Sequence, residues 1–157
     1  KRKSAYFIVT KNGVIGTGKL KQTSATVADG GSNIIVLRYA DVLLMLAECY
    51  AEKDDVSKSN EYLNLIKKRA GIEEVSIGDA TLIKEEIALE RRKELVNEGH
   101  RWFDLIRTGK AVEVMNAYFT RTPGYTGITI SELNYVQPIP QGQIDTDSAT
   151  KQNEGYN

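Results

Sequence analysis

The sequence predicts a mostly α-helical fold of packed helices, with a small β-ribbon at the start and a long loop-rich tail. Apolar residues recur at helical spacing in successive stretches between residues 33 and 119, which indicates packed helices. An Asn-Gly pair separates two short apolar runs near the start, and this is the strongest short-range signal for a β-hairpin. From Thr120 onward, glycines and prolines break every period, which predicts loop.

The first 32 residues are predicted to hold the ribbon and a loop after it. Tyr6–Thr10 and Val14–Ile15 flank Lys11-Asn12-Gly13, so two short strands are expected to pair across this turn. Residues 17–33 are rich in Gly, Ser and Thr, which is typical of loop. We therefore divide the chain into residues 1–32, the ribbon and loop, and residues 33–157, a helical domain.

The first predicted helix begins at Ser32 or Asn33, which can cap it, and continues to about Lys53. It is apolar on nearly every side, so several other elements are expected to cover it. Cys49 is the only cysteine and lies in this run, where we expect it to be buried. A single cysteine excludes a disulfide framework and a thiolate metal site within this sequence.

A second helix is predicted to fold back on the first. It begins at Ser57 or Ser59, and Gly71 is placed to end it in the left-handed conformation. The two helices make a hairpin about 34 residues long, which resembles one tetratricopeptide unit. Ala47 and Ala51 are small enough for the two backbones to approach closely.

A charged helix is predicted from Asp79 or Thr81 to Glu98, followed by a Gly99-His100 corner and a short aromatic helix. Two arginines of this charged helix fall between apolar positions. A desolvated guanidinium without a partner costs several kcal/mol, so one or both arginines need carboxylates nearby. The predicted structural cluster contains these residues and their candidate partners: Arg91, Arg92, Glu98, His100, Trp102 and Asp104.

Catalytic alternatives have weaker support in the sequence. His100 is the only histidine, so a multi-histidine metal site is excluded. His100 with Asp104 could serve as a general base, but a histidine at a helix corner more often satisfies backbone groups. Glu86, Glu90 and Glu94 follow i, i+4 spacing, which we interpret as a solvated face rather than as a pair of glycosidase acids. Neither an enzyme nor a cofactor is predicted.

Aromatic residues near the end of the last long helix are candidates for ligand contact. Tyr118, Tyr125 and Tyr135 lie in the loop-rich part, where exposed rings can pack on the apolar faces of sugars. The favoured alternative is that these rings hold the loop against the helices. Basic and acidic residues balance at 21 each, which argues against nucleic acid as a partner.

Three segments carry a resemblance to a known family. They are ALERRKELVNEGHRWFDLIRTGK at residues 88–110, LRYADVLLMLAE at residues 37–48, and a tail containing PIP, ID, QN and GY between residues 138 and 156. Together and in this order they resemble the SusD/RagB family of nutrient-binding outer-membrane lipoproteins. The sequence departs from the family pattern at Gln137, Asp147 and Glu154, which affects the course of the tail.

The resemblance implies the C-terminal part of a longer lipoprotein that captures glycans at the cell surface. The ligand would be an oligosaccharide derived from starch or another polysaccharide, passed to a SusC-like TonB-dependent transporter in the outer membrane. A lipid anchor would lie outside this sequence. A peptide-binding member of the family, or a helical scaffold that docks on the transporter without touching ligand, are the alternatives. The resemblance assigns no ligand-binding residue to a numbered position here.

Overall fold

The computed structural model of the chain describes residues 6–9, 11–19 and 36–156. The chain divides into two compact units, Lys1–Arg101 and Trp102–Asn157. The boundary predicted between residues 32 and 33 lies outside the described residues, so the division into residues 1–32 and 33–157 stays a prediction.

The predicted fold class is confirmed, because the described chain is mostly helical with a small antiparallel ribbon. Strands β1 (Phe7–Val9) and β2 (Ile15–Thr17) pair in the register Phe7↔Thr17 and Val9↔Ile15, on either side of the predicted Asn-Gly turn. The helices are α1 (Tyr39–Glu52), α2 (Val56–Arg69), α3 (Ala80–Glu94), α4 (His100–Arg107), α5 (Ala111–Arg121) and α6 (Gln141–Thr146), with a 3-10 turn at Glu132–Tyr135.

Helix α1 begins later than the sequence predicts. Residues 36–38 are not helical, and Arg38 has an extended backbone with φ −131° and ψ 145°. The predicted caps Ser32 and Asn33 lie outside the described residues, but a helix continuous from them to Lys53 is excluded by residues 36–38. The Arg38 guanidinium instead binds carboxylates of the helix α3 region, and such tertiary contacts override helix propensity.

Helices α1 and α2 form the predicted hairpin. The buried Ser59 hydroxyl donates a hydrogen bond to the Ala47 carbonyl oxygen at 2.8 Å, so the backbones meet where the small residues are. Asp55, rather than Ser57 or Ser59, caps α2, because its carboxylate accepts the Lys58 N–H at 3.1 Å. Gly71 follows the helix at φ +67°, which confirms the left-handed end.

The core of the first unit is apolar and joins α1, α2 and α3. Its buried residues are Ala40, Leu43, Leu44, Ala47, Ala51, Leu63, Ile66, Ile83, Ile87 and Leu95. Cys49 is exposed, so its predicted burial is wrong. Helix α1 presents an uncovered apolar strip that includes Val42 and Met45, and Cys49 shares that side of the helix at positions i, i+3 and i+7.

An extended connector joins α2 to α3 and is held by two asparagines. The Asn60 side chain accepts the Ile77 N–H at 3.0 Å and donates to the Ile77 carbonyl oxygen at 2.8 Å. One helical turn later, Asn64 binds both backbone groups of Val75 in the same way, at 2.9 and 2.8 Å. The i, i+4 spacing on the helix matches the i, i+2 repeat of an extended chain, so the connector lies along α2.

Helix α3 begins as predicted and ends early. The Asp79 carboxylate accepts the N–H groups of Thr81 and Leu82, each at 2.8 Å. The helix ends at Glu94, and Asn97 then adopts a left-handed φ of 65°. The prediction that the helix reaches Glu98 is therefore wrong, and Glu98 lies in the turn that follows the helix.

In the second unit, the tail has more regular structure than the sequence predicts. The 3-10 turn and α6 lie within the part expected to be loop. Asn116 of α5 accepts the Ile130 N–H at 2.8 Å and donates to the Ile130 carbonyl oxygen at 3.0 Å. Gln152 binds both backbone groups of Ile139 at 2.8 and 2.9 Å. These side chains take the place of a sheet in ordering the loops.

Candidate functional site

A cluster of arginines and carboxylates occupies the end of α3 in the first unit. Glu94 is at its centre with a fully buried side chain. Its carboxylate accepts the Tyr6 hydroxyl at 2.9 Å and the Arg38 Nη1 at 3.0 Å, and it also binds Arg69. Three separate parts of the chain therefore meet on one carboxylate.

Glu98 extends this cluster from the turn after α3. Its carboxylate accepts Arg38 Nε at 2.8 Å and also binds Lys19. Arg38 Nη2 donates to the Glu94 carbonyl oxygen at 3.1 Å, and the Lys19 ammonium lies 3.9 Å from the centre of the Tyr6 ring. We call these six residues the Glu94 cluster: Tyr6, Lys19, Arg38, Arg69, Glu94 and Glu98.

The electrostatics of the Glu94 cluster keep its acids ionised. Burial alone raises the pKa of the Glu94 carboxyl, but the hydrogen bonds from Tyr6, Arg69 and Arg38 outweigh it and lower the pKa below the usual value. The same balance, with Arg38 and Lys19 as donors, lowers the pKa of Glu98. Burial and the neighbouring Glu94 raise the pKa of the Tyr6 hydroxyl. Both acids are therefore hydrogen-bond acceptors at neutral pH and poor proton donors.

A second ion pair of the first unit involves one of the two arginines predicted to be buried. Arg91 is buried and its Nη1 lies 2.7 Å from Oδ1 of Asp41, which is 7% exposed. Arg92, the next residue, is exposed. Of the two candidates, Arg91 is thus the arginine that crosses the apolar strip, and its carboxylate comes from α1 rather than from Glu98.

The expectation that Glu86, Glu90 and Glu94 form a solvated face is wrong. Glu90 and Glu94 are both fully buried, whereas Glu86 is partly exposed and pairs with Lys67. Glu90 and Glu94 follow Ile83 and Ile87 at i, i+4, i+7 and i+11, which is a single buried stripe. This spacing is the sequence signal that could have indicated their burial, because both acids lie on the same face of the helix as the two isoleucines.

The remaining residues of the predicted cluster divide between the units. His100 is partly buried at the start of α4. In the second unit, Asp104 Oδ1 accepts Arg107 Nε at 2.9 Å. The Trp102 ring meets Tyr135 edge to face, with 6.1 Å between ring centres. Whether these residues act with Arg91 as one cluster stays a prediction.

An aromatic cluster lies at the end of α5 in the second unit. Phe119 and Tyr125 stack with 5.6 Å between ring centres and 17° between planes, and Tyr118 lies 5.8 and 5.9 Å from them. Tyr118 and Tyr125 are 45% and 42% exposed. The loop that carries Tyr125 is fixed by Asn116 at its far end. We call Tyr118, Phe119 and Tyr125 the aromatic cluster.

Within the described ranges, no group of three or more His, Cys, Asp or Glu side chains is arranged to hold a metal ion. No helix in the described part of the chain is long and apolar enough to cross a bilayer.

The fold defines a helical domain of the tetratricopeptide-like class, in which a hairpin packs on a third helix. The sequence model described as the SusD family matches residues 1–156. The chain belongs to the SusD family.

Individual relatives agree with this assignment. The SusD-like protein P38 of Formosa agariphila is 40% identical over 93 residues, which are 54% of this chain and 18% of P38. A SusD superfamily protein from Bacteroides vulgatus has a TM-score of 0.67 at 30% identity, over 81% of this chain and 29% of that chain. Surface glycan-binding protein A from Bacteroides uniformis has a TM-score of 0.74 at 23% identity, over 97% of this chain and 37% of that chain, and at this identity the likeness concerns the fold. The chain spans between 18% and 37% of the length of these proteins.

Proposed function

We propose that this chain is part of a non-catalytic glycan-binding protein of the cell surface. The observation that carries the proposal is the match to the SusD family over residues 1–156. The fold shared with a surface glycan-binding protein supports it. In this proposal the protein is held at the outer membrane by a lipid anchor, captures oligosaccharide and delivers it to a SusC-like TonB-dependent transporter. Binding and release need no cofactor.

The aromatic cluster is the proposed glycan contact of the second unit. A sugar ring buries its apolar face well on a flat aromatic side chain while its hydroxyls stay hydrated. Tyr118 and Tyr125 combine nearly half-exposed rings with a supported position, since Phe119 stacks on Tyr125 and Asn116 binds the loop. A site that is already ordered loses less entropy when ligand binds.

The two acids of the Glu94 cluster are poorly suited to acid catalysis. Glu94 and Glu98, the acids of the Glu94 cluster, already accept hydrogen bonds from arginine, lysine and tyrosine donors. A glycosidase acid needs a raised pKa to donate its proton near neutral pH, and both of these pKa values are lowered. We propose that the Glu94 cluster and the Arg91–Asp41 pair are structural.

The test is glycan binding by the chain and by two single variants, Tyr118→Ala and Tyr125→Ala. We expect each to weaken binding by about tenfold, since stacking on an aromatic ring contributes roughly 1 kcal/mol or more. Phe103→Ala is the matched control, because Phe103 is a 70% exposed aromatic outside the cluster and its loss should leave binding unchanged. Isothermal titration calorimetry with a panel of polysaccharide-derived oligosaccharides measures this, and circular dichroism checks folding.

The same panel, extended with peptides, addresses the alternatives. Binding of peptides and of no glycan would replace the ligand class in the proposal. Failure to bind any ligand, combined with a stable complex with the transporter, would indicate a docking scaffold. Equal glycan affinity of all three variants and of the unchanged chain would mean that the aromatic cluster only holds the loop against α5.

A further inference from the structure

A pocket opens between the start of α1 and the end of α2 in the first unit. Its volume is about 500 Å³, which lies within the range of small-molecule sites. Its lining consists of two arginines, Arg38 and Arg69, and five mostly apolar residues: Tyr39, Ala40, Leu43, Leu65 and Ile66. Leu43 and Ile66 belong to the core, so the floor of the pocket is fixed by the packing of the hairpin.

The positive charge of this pocket includes Arg69, which is held by an ion pair with Glu94. The Arg69 side chain is 53% exposed, whereas its partner Glu94 is fully buried. A guanidinium carries five N–H donors in a planar fork, and Glu94 is bound through Nη2. Arg69 also hydrogen-bonds with the Tyr6 side chain. With five donors and a half-exposed side chain, it can keep both partners and still offer a donor to a ligand in the pocket.

Two exposed residues of the lining, Tyr39 and Leu65, can pack on the face of a sugar ring. Tyr39 is 73% exposed and Leu65 is 46% exposed, and these two lining residues come from different helices. A pyranose ring has apolar C–H faces that pack on such surfaces. A carboxylate on that ring would form charge-assisted hydrogen bonds with the Arg69 guanidinium.

We propose that this pocket binds a sugar residue that carries a carboxylate, so that the glycan taken by this protein contains uronic acid. The inference rests on the proposed function and adds to it the chemical class of one sugar and the residue that recognises it. Arg69 binds the carboxylate, and Tyr39 and Leu65 enclose the ring. Arg38, the other arginine of the lining, stays bound to Glu94 and Glu98.

The experiment compares an acid with its own neutral ester. The full chain is titrated by calorimetry with trimers of galacturonate and of glucuronate, and with the methyl esters of the same trimers. We expect at least one acid to bind about tenfold more tightly than its ester, as charge-assisted hydrogen bonds allow. Arg69→Gln should remove that preference, whereas Arg92→Gln, the loss of an exposed arginine of the same unit, should leave it unchanged.

A second variant leaves the Glu94 cluster intact. Leu65→Glu places a like charge in the pocket at a half-exposed position, and it should abolish the preference for the acid over its ester, with Leu65→Gln as its uncharged control. Equal affinity for every acid and its ester, or an acid preference that survives both Arg69→Gln and Leu65→Glu, overturns the inference. If glycan binding then still depends on Tyr118 and Tyr125, the proposed function stands without it. If no glycan binds at all, both fall.

Discussion

Replacing Glu94 by glutamine tests whether one buried carboxylate holds the first unit together. The Glu94 carboxylate accepts from Tyr6, Arg38 and Arg69. Glutamine has nearly the same shape, but it removes the charge and turns one acceptor into an amide donor that faces guanidinium donors. Glu94→Gln therefore breaks the ion pairs without leaving a cavity.

The expected loss of stability is about 3 kcal/mol. Removing one partner of a buried ion pair typically costs roughly 3–5 kcal/mol, because the other charge stays buried and uncompensated. Here the lower end applies, since the Arg69 side chain is 53% exposed and the Arg38 side chain 24% exposed, so water can reach both guanidinium groups. For a chain of this size, such a loss lowers the melting temperature by roughly 6–12 °C.

Urea unfolding followed by far-UV circular dichroism measures this change at pH 7. Glu85→Gln is the matched control, because Glu85 lies on the same helix and is exposed. Hydrogen exchange of α3 amides locates the loss within the first unit. A Glu94→Gln chain within about 0.5 kcal/mol of the unchanged chain, the scatter of ordinary surface substitutions, would refute the structural role of the cluster.

The same reasoning predicts how stability depends on pH. The pKa values of Glu94 and Glu98 are lowered in the folded chain, so their stabilisation is complete above the ordinary carboxyl pKa and is lost as pH falls through the folded values. Unfolding free energy should therefore fall below about pH 4.5. The fall should be shallower in Glu94→Gln, because one of the two groups no longer titrates. Identical slopes in both chains would contradict this assignment.

Three further substitutions probe other contacts. Arg91→Met should cost roughly 3 kcal/mol, because it leaves the buried Asp41 carboxylate uncompensated, and urea unfolding that shows no loss would contradict the pair. Asn64→Ala should raise hydrogen exchange at Val75 several-fold with a stability loss of about 1 kcal/mol, since it removes both hydrogen bonds between Asn64 and the Val75 backbone; unchanged exchange would mean that these bonds do not hold the connector. Gly71→Ala should cost about 1 kcal/mol in melting experiments, because φ is +67° there, and a neutral result would mean that the helix end relaxes.

Local signals in the sequence located most elements of the fold. The Asn-Gly turn, the Asp79 cap and Gly71 each act within a few residues, and each lies where it was predicted. The start of α1 was missed because Arg38 is held extended by carboxylates about sixty residues away. No local pattern contains that information, since the competing interaction is between distant parts of the chain.

The buried charges of α3 could be predicted from the sequence only in part. The sequence indicated that an arginine of α3 would be buried and paired, and Arg91 is. Glu94 was assigned to solvent because acids at i, i+4 usually lie on a solvated face. Its burial depends on Tyr6, Arg38 and Arg69, which are 88, 56 and 25 residues away. An acid that continues the stripe of Ile83 and Ile87 should be interpreted as buried, with the partner still to be found.

Several loops are held by asparagine or glutamine side chains, which hydrophobic periodicity cannot detect. At Ile77, Ile130 and Ile139, one amide side chain binds both the N–H and the carbonyl oxygen of an apolar residue. Each amide imitates the edge of a β-strand, so both backbone groups of the loop residue are satisfied. Such a contact needs only one asparagine or glutamine, so the pattern of apolar residues does not reveal it. A tail that looks featureless in sequence can therefore be ordered, and an ordered loop is what allows Tyr125 to present its ring at a fixed position.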